Sequence, residues 1–391
     1  MATKLLLKIE NLQTYFYTWA GIVKAVDGVS LKINEGETLG LVGESGSGKS
    51  VAALSILGIV PKPGKIIGGK ILYKSENLLE KDENELEKIR GKEIAYIFQD
   101  PSTSLNPVFT ISSQLVELIR RHQNVTKKEA LAKAIELLKL VEIADPEVKI
   151  GNYPHQLSGG MKQRMAIARA LSCQPNLLLA DEPTTALDVT IQAQILDLLK
   201  KLKQKLGMAM ILITHDMGVV AEVADRITVL YAGRVCESAS TKTIFNNPLH
   251  PYTKALLEAV PNLALKREKL KVIPGVIPNL IEPPSGCRFH PRCEFAKEGV
   301  CTIEMPSVKE LEPDHYVACV RVREIKAELP LRTDRLRHWG ASRSGAAHCA
   351  RNAGRTEASL SAPAASPPRT RAPRSPRAGP RGPARARGCR R

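Results

Sequence analysis

Four short apolar runs punctuate the first 250 residues: "ETLGLVG" (37–43), "NLLLAD" (176–181), "MAMILITH" (208–215) and "RITVLYAG" (226–233). Such runs are expected of strands covered on both faces, because neither side of the pleat meets water. Between them, "KKEALAKAIELLKLVEIA" (127–144) and "TIQAQILDLLKKLKQKLG" (190–207) space apolar residues at the helical period. The alternation predicts an α/β fold with a largely parallel sheet. The stretches "KLLLKIENLQTYFYTW" (4–19) and "GGKILYKSENLL" (68–79) predict an antiparallel layer beside it.

After about residue 263 the pattern breaks into proline-rich extended segments such as "VIPGVIPNLIEPPSG" (272–286), followed by a cysteine-bearing stretch. From about residue 329 the chain is rich in Arg, Ala, Pro and Ser, a composition that cannot bury enough apolar surface to order itself. The expected organisation is an α/β domain over 1–262 with a helical part at about 100–175, a small extension over 263–326, and a disordered basic tail over 327–391. The switch from mixed Lys and Arg to Arg alone at the tail suggests a fusion scar or an altered reading frame.

Charge changes the picture only once it is located. The net charge is +17, but 15 of the 57 basic residues and only 3 of the 40 acidic ones lie from residue 327 onward. The tail thus carries +12, and the first 326 residues carry +5. That gives the folded part little electrostatic reason to bind nucleic acid. The N-terminus "MATKLLLKIENLQ" lacks the apolar core of a signal peptide, and no apolar run reaches the roughly 18–20 residues that cross a bilayer. A cytoplasmic chain that meets a membrane only through a partner is expected.

Residues 43–50, "GESGSGKS", fit G-x-x-x-x-G-K-[ST] and lie between an apolar strand and the helical "SVAALSILGIV". In such a loop Gly43, Glu44, Ser45, Gly46, Ser47 and Gly48 turn backbone N–H groups onto phosphates, aided by the helix N-terminus. Lys49 would reach the β- and γ-phosphates, and the Ser50 hydroxyl would ligate Mg²⁺. "LLLADEP" sets Asp181 and Glu182 at a buried strand end, where one carboxylate can hold Mg²⁺ and the next can polarise water. "IFQDP" and "ITHD" place Gln99 and His215 at strand ends as well.

Between Gln99 and His215 lies "LSGGMKQRMAIARAL" (157–171), in which Ser158 and two glycines open a helix and form a second anion site. One nucleotide does not need two such sites, but two chains can use both. In these motifs, in this order, the chain resembles an ABC-transporter ATPase subunit over roughly residues 5–260. "TALD" (185–188) resembles that family's partner-contacting loop. The resemblance implies an ABC-type P-loop fold and a head-to-tail dimer. Each ATP would lie between Lys49 and Ser50 of one subunit and Ser158 and Gly160 of the other. It further implies Glu182 as base or water-orienting group, His215 on the γ-phosphate, and Gln99 as a sensor of Mg²⁺ and nucleotide. Mg²⁺ would be held through Ser50, Gln99 and Asp181. Among Tyr15, Phe16, Tyr17 and Trp19, it favours Phe16 for adenine stacking.

Finer features resemble the dipeptide/oligopeptide importer branch: "FQDPSTSLNPVFTI" (98–111), "NYPHQLSGG" (152–160), "DEPTTALDVTIQAQILDLL" (181–199), "HPYTKALL" (250–257) and "IPGVIPNLIEPPSGCRFHPRC" (273–293). "GRVCESAS" (233–240) departs from the usual turn there. The branch implies a second, similar ATPase, two membrane permease subunits and an extracytoplasmic binding protein, with peptides, nickel or another small solute as cargo. Soluble ABC ATPases are the competing class, but they usually carry two cassettes or a long coiled-coil insertion, and this chain has neither.

Cys287, Cys293, Cys301 and Cys319 are separated by five, seven and seventeen residues, without the two-residue gap of common zinc ribbons. Spacing alone admits a four-thiolate metal site, disulfides or free thiols; a reducing compartment disfavours disulfides. The family resemblance implies a 4Fe–4S cluster on these cysteines in preference to zinc, with His290 and His315 as supporting groups or substitute ligands.

Overall fold

The computed structural model describes residues 4–185, 187–259 and 272–328. The expected disordered tail beyond residue 328 lies outside the described residues.

Four strands form an antiparallel layer, in the order β2 (Gly21–Asn34), β1 (Leu5–Thr18), β4 (Gly64–Tyr73) and β5 (Glu76–Asn77). The second sheet contains β3 (Thr38–Val42), β6 (Ile94–Ile97), β7 (Leu177–Asp181), β8 (Ala209–Thr214), β9 (Arg226–Tyr231), β10 (Arg234–Ser240), β11 (Lys309–Glu312) and β12 (His315–Val317). Its spatial order is β11-β12-β10-β9-β3-β8-β7-β6, parallel from β9 to β6 and antiparallel at the other edge.

The uninterrupted apolar runs follow from this layering. Leu39, Leu41, Leu177, Leu179, Ile211 and Ile213 face a core shared with the antiparallel layer and helix α1 (Lys49–Ile56). Val42, Leu178, Ala180, Met210 and Leu212 face the opposite core. Successive side chains alternate faces, so every position must be apolar when both faces are buried.

Helix α2 (Glu83–Ile89) follows the antiparallel layer. Between β6 and β7 come α3 (Pro101–Ser104), α4 (Ile111–His122), α5 (Lys127–Leu140), α6 (Pro146–Lys149) and α7 (Gly159–Leu171). Their starts are fixed by side-chain caps: Thr110 accepts from Ser113 N–H, and Thr126 forms a capping box with Glu129. Then come α8 (Val189–Leu206), α9 (Met217–Val223), α10 (Thr241–Asn246), α11 (Pro251–Ala259) and α12 (Val322–Glu328). Among the described residues no helix is long and apolar enough to cross a membrane.

The cysteine-bearing extension is woven into the main sheet, since β12 pairs with β10 through Glu237↔Val317 and Ser238↔Tyr316. The β9–β10 hairpin turns on Ala232 and Gly233, with φ of 48° and 80°, the type I′ turn that matches strand twist. Glu237 of β10 is fully buried, and its carboxylate accepts from His315 Nε2 (2.7 Å), Leu249 N–H (2.8 Å) and His250 N–H (3.0 Å). The three donors offset the desolvation of that carboxylate. They also correct the expectation for His315: it is bound to Glu237 and does not line the cysteine cavity.

Candidate nucleotide-binding and catalytic site

The loop after β3 must be glycine where it is glycine. A Cβ on Gly43 would lie 2.2 Å from the Leu230 carbonyl oxygen, and one on Gly48 would lie 2.3 Å from that of Ala25. Gly48 also takes φ of 99° as it enters α1. Ser45 and Gly46 stay exposed at the crest, while Ser47 is buried. Lys49 folds back over the loop and donates to the carbonyls of Gly43 (2.8 Å) and Glu44 (2.9 Å). Burial pushes its ammonium below the usual lysine value, against the pull of Glu182, Asp181 and Glu44.

The acidic pair sits at the end of β7. Asp181 accepts from Ser50 Oγ (3.1 Å) and from Tyr96 Oη (2.7 Å), and burial raises its carboxyl above the ordinary range. Glu182 has a left-handed φ of 44°, an unusual backbone for a non-glycine residue. Its carboxylate meets Gln99 Nε2 (3.1 Å), Thr185 Oγ1 (2.9 Å) and His215 Nδ1 (3.0 Å). Burial raises this carboxyl too, but the bonds from His215 and Thr185, with the charge of Lys49, outweigh it and hold the group low. The two neighbouring acids are thus shifted in opposite directions. One is a buried seat beside the loop serine, and the other a ready carboxylate with acceptor capacity.

The structure therefore brings Lys49, Ser50, Gln99, Asp181, Glu182 and His215 together. Ser158 is not joined to this network: it caps α7 by accepting from Met161 N–H (3.3 Å) and is exposed. Gly160 seats α7 against α8, where a Cβ would stand 3.0 Å from Ile191 Cγ2. Phe16 is half-buried in β1, and a Cβ on Gly64 would stand 2.8 Å from its ring. Tyr15 donates to Asp27 (2.7 Å), whereas Trp19 is fully exposed.

Three contributors were not legible as motifs. Tyr96 sits inside an apolar strand. Tyr252 accepts the Glu44 N–H (2.9 Å), and Arg292 forks onto the Glu44 carboxylate (2.7 and 3.0 Å). Tyr252 and Arg292 lie 208 and 248 residues from Glu44, beyond any local pattern.

Cys287, Cys293, Cys301 and Cys319 line one small cavity with His290 and Phe289. The described cysteines are all free, so no disulfide joins these four. Burial pushes the thiols of Cys293 to about 12 and Cys319 to about 11, and raises Cys287 as well. A fifth cysteine, Cys236 of β10, is buried nearby and interacts electrostatically with Cys287 and Cys319. Among the described residues no group of three or more His, Cys, Asp or Glu is arranged to hold a metal ion. This bears equally on the cluster and on its zinc alternative, since either needs the sulfurs close around one metal group.

A phosphate loop, a strand-end acidic pair, and a Gln and a His on the same carboxylate define a P-loop ATPase of the ABC class. The sequence pattern of the ABC transporter family matches residues 26–185, and that of the oligopeptide/dipeptide transporter C-terminal region matches residues 236–301. The chain is 52% identical to a probable peptide ABC transporter ATP-binding protein of Sinorhizobium fredii, over 82% of this chain and 96% of that one. It is 49% identical to the oligopeptide transport ATP-binding protein AppD of Bacillus subtilis (83% and 98%), and 46% identical to the dipeptide transport ATP-binding protein DppD of Escherichia coli (80% and 96%). A solved dimeric ATP-binding cassette in a post-hydrolysis state with ADP and Pi matches with a TM-score of 0.55 and 32% identity, over 60% of this chain and 99% of that one. The chain belongs to the ABC-transporter ATP-binding proteins of the oligopeptide/dipeptide family, and it is an ATP hydrolase.

Proposed function

We propose that this chain powers peptide import by hydrolysing ATP at the cytoplasmic face of a membrane, as a peripheral subunit. The observation that carries the reading is the pairing of a complete catalytic network with relatives named for peptide transport over at least 80% of the chain. Its division into an ATPase domain (1–262), an extension (263–326) and a tail (327–391) belongs to the same proposal. Lys49 and the loop N–H groups bind the phosphates, and Phe16 stacks on adenine. Ser50, Asp181 and Gln99 would hold Mg²⁺, whose charge would offset that of the phosphates. Glu182 would accept from and orient the attacking water, and His215, held on Glu182 through Nδ1, would contact the γ-phosphate. Ser158 and Gly160 serve the nucleotide of a second, similar ATPase subunit. Two permease subunits and an extracytoplasmic binding protein complete the assembly.

Cys287, Cys293, Cys301 and Cys319 hold a 4Fe–4S cluster in this reading. Four thiols around one cavity supply the donor number and type that such a cluster takes. With pKa values raised by burial, these thiols would release protons as they ligate iron. The cluster would supply a cross-link between segments that are distant in sequence.

The test is reconstitution with the permeases and the binding protein in vesicles. ATP turnover should rise when peptide is added outside. Stimulation by nickel but not peptide would move the cargo assignment. Turnover indifferent to the permeases would return the chain to the soluble ABC ATPases.

A further inference from the structure

Arg292 lies in the cysteine-bearing extension, one residue before Cys293, yet its guanidinium ends on the phosphate loop. Nη1 and Nη2 donate to the two carboxylate oxygens of Glu44 at 2.7 and 3.0 Å. Nη1 also donates to Tyr231 Oη (3.3 Å), and Nε donates to the Pro274 carbonyl (2.7 Å). The arginine side chain is only 5% exposed, and Tyr231 lies beneath the guanidinium, whose carbon is 5.7 Å from the ring centroid. Each end of this contact is therefore fixed: a rigid bidentate fork on one side, and a strand tyrosine with the proline-rich segment on the other. The backbone of Glu44 is pinned as well, because its N–H donates to Tyr252 of α11.

The neighbouring arginine repeats the arrangement. Arg288, one residue after Cys287, donates to Asp27 and to the Ala232 carbonyl. The adjoining Gly233 N–H donates to the Ser47 carbonyl of the phosphate loop (2.9 Å). Two arginines beside two cysteines thus reach the same loop by separate routes.

We propose that Arg292 is a positioning residue of the ATP site, by which the C-terminal extension sets the affinity for Mg·ATP. This rests on the reading that residues 43–50 hold the nucleotide. Glu44 puts a negative charge into a loop that must take up a polyphosphate, close enough to act on the charge of Lys49. Arg292 neutralises that charge and fixes the turn through which the loop N–H groups are presented. Without it, an unpaired carboxylate would face the incoming phosphates on a looser loop.

The experiment titrates Mg·ATP onto the purified full chain and measures kcat and KM of the same variants. Arg292→Met should weaken Mg·ATP binding about five- to tenfold with kcat within about twofold, and Arg292→Lys should recover part of the loss. Glu44→Gln should weaken binding less, because it removes the pair without leaving a bare charge. The double variant Glu44→Gln, Arg292→Met should fall back to the Glu44→Gln level. If Arg292→Met does not fold, Glu44→Gln still tests the pairing without altering the extension. Unchanged affinity in a folded Arg292→Met, unchanged affinity in Glu44→Gln, or additive losses in the double variant would overturn the proposal. Lys49→Ala serves as a control: binding equal to the parent there would bring down the phosphate-loop reading, and this inference with it.

Discussion

Glu182 receives hydrogen bonds from Thr185 in its own turn and from Gln99 and His215 of two segments distant in sequence. An amide in its place would keep the size but lose the charge that accepts a proton or aligns water. Glu182→Gln should lower single-turnover hydrolysis by about 10²-fold or more while ATP affinity stays within about threefold. Rapid-quench and equilibrium-binding measurements separate the two. Tyr96 offers a second residue-scale test, because its hydroxyl supports the Asp181 carboxylate without touching the loop. Tyr96→Phe should raise the Mg²⁺ concentration needed for half-maximal turnover by about tenfold or more, because a hydrogen bond to a charged group is worth roughly 1.5–3 kcal/mol. Glu182, Gln99 and His215 were legible because each falls in a motif. Tyr96 was not, since a tyrosine in the apolar run "IAYIF" satisfies the strand pattern whether or not its hydroxyl is used.

Strands β3, β7, β8 and β9 were legible because burial on both faces leaves an unbroken apolar mark. Helices α5 and α8 were legible because burial on one stripe leaves a periodic one. Strands β11 and β12 carry neither: "KELE" and "HYV" are short, and they join the sheet only by tertiary pairing, β12 on β10 and β11 on β12. That seam contains a titration test. His250, at the start of α11, is buried, accepts the Tyr252 N–H at Nδ1 (3.0 Å), and is driven by burial from 6.5 down to about 4. Below pH 6.5 the unfolded chain takes up a proton that the folded chain refuses. Stability should therefore be present above 6.5 and lost as pH falls toward 4, by on the order of 3 kcal/mol from this group. Denaturant midpoints between pH 7 and pH 4.5 should fall less steeply in His250→Asn, which cannot titrate. Equal slopes would show that the acid sensitivity lies elsewhere.

On the scale of the whole molecule, the phosphate loop and "LSGG" are both complete in one chain, yet among the described residues no hydrogen bond of Lys49 or Ser158 joins them. Ser158 is exposed and bonds only to its own helix among the described residues, whereas Lys49 and Glu182 are drawn into one network. A motif says which atoms meet a phosphate, but not which chain supplies the phosphate, so the sequence could not separate the two uses without the family resemblance. The geometry separates them experimentally. A carboxylate at position 158 would repel the nucleotide of a neighbouring subunit and leave this chain's own phosphate loop untouched. Ser158→Glu should bind Mg·ATP with affinity within about twofold of the parent, because its own site is intact. In the assembly with its partner ATPase, turnover at the site facing position 158 should drop about 100-fold. Ultracentrifugation with ATP should show the paired species of the parent weakened in the variant. Full turnover, or a loss of nucleotide affinity by the isolated chain, would mean that Ser158 serves its own nucleotide and that the head-to-tail pairing is wrong.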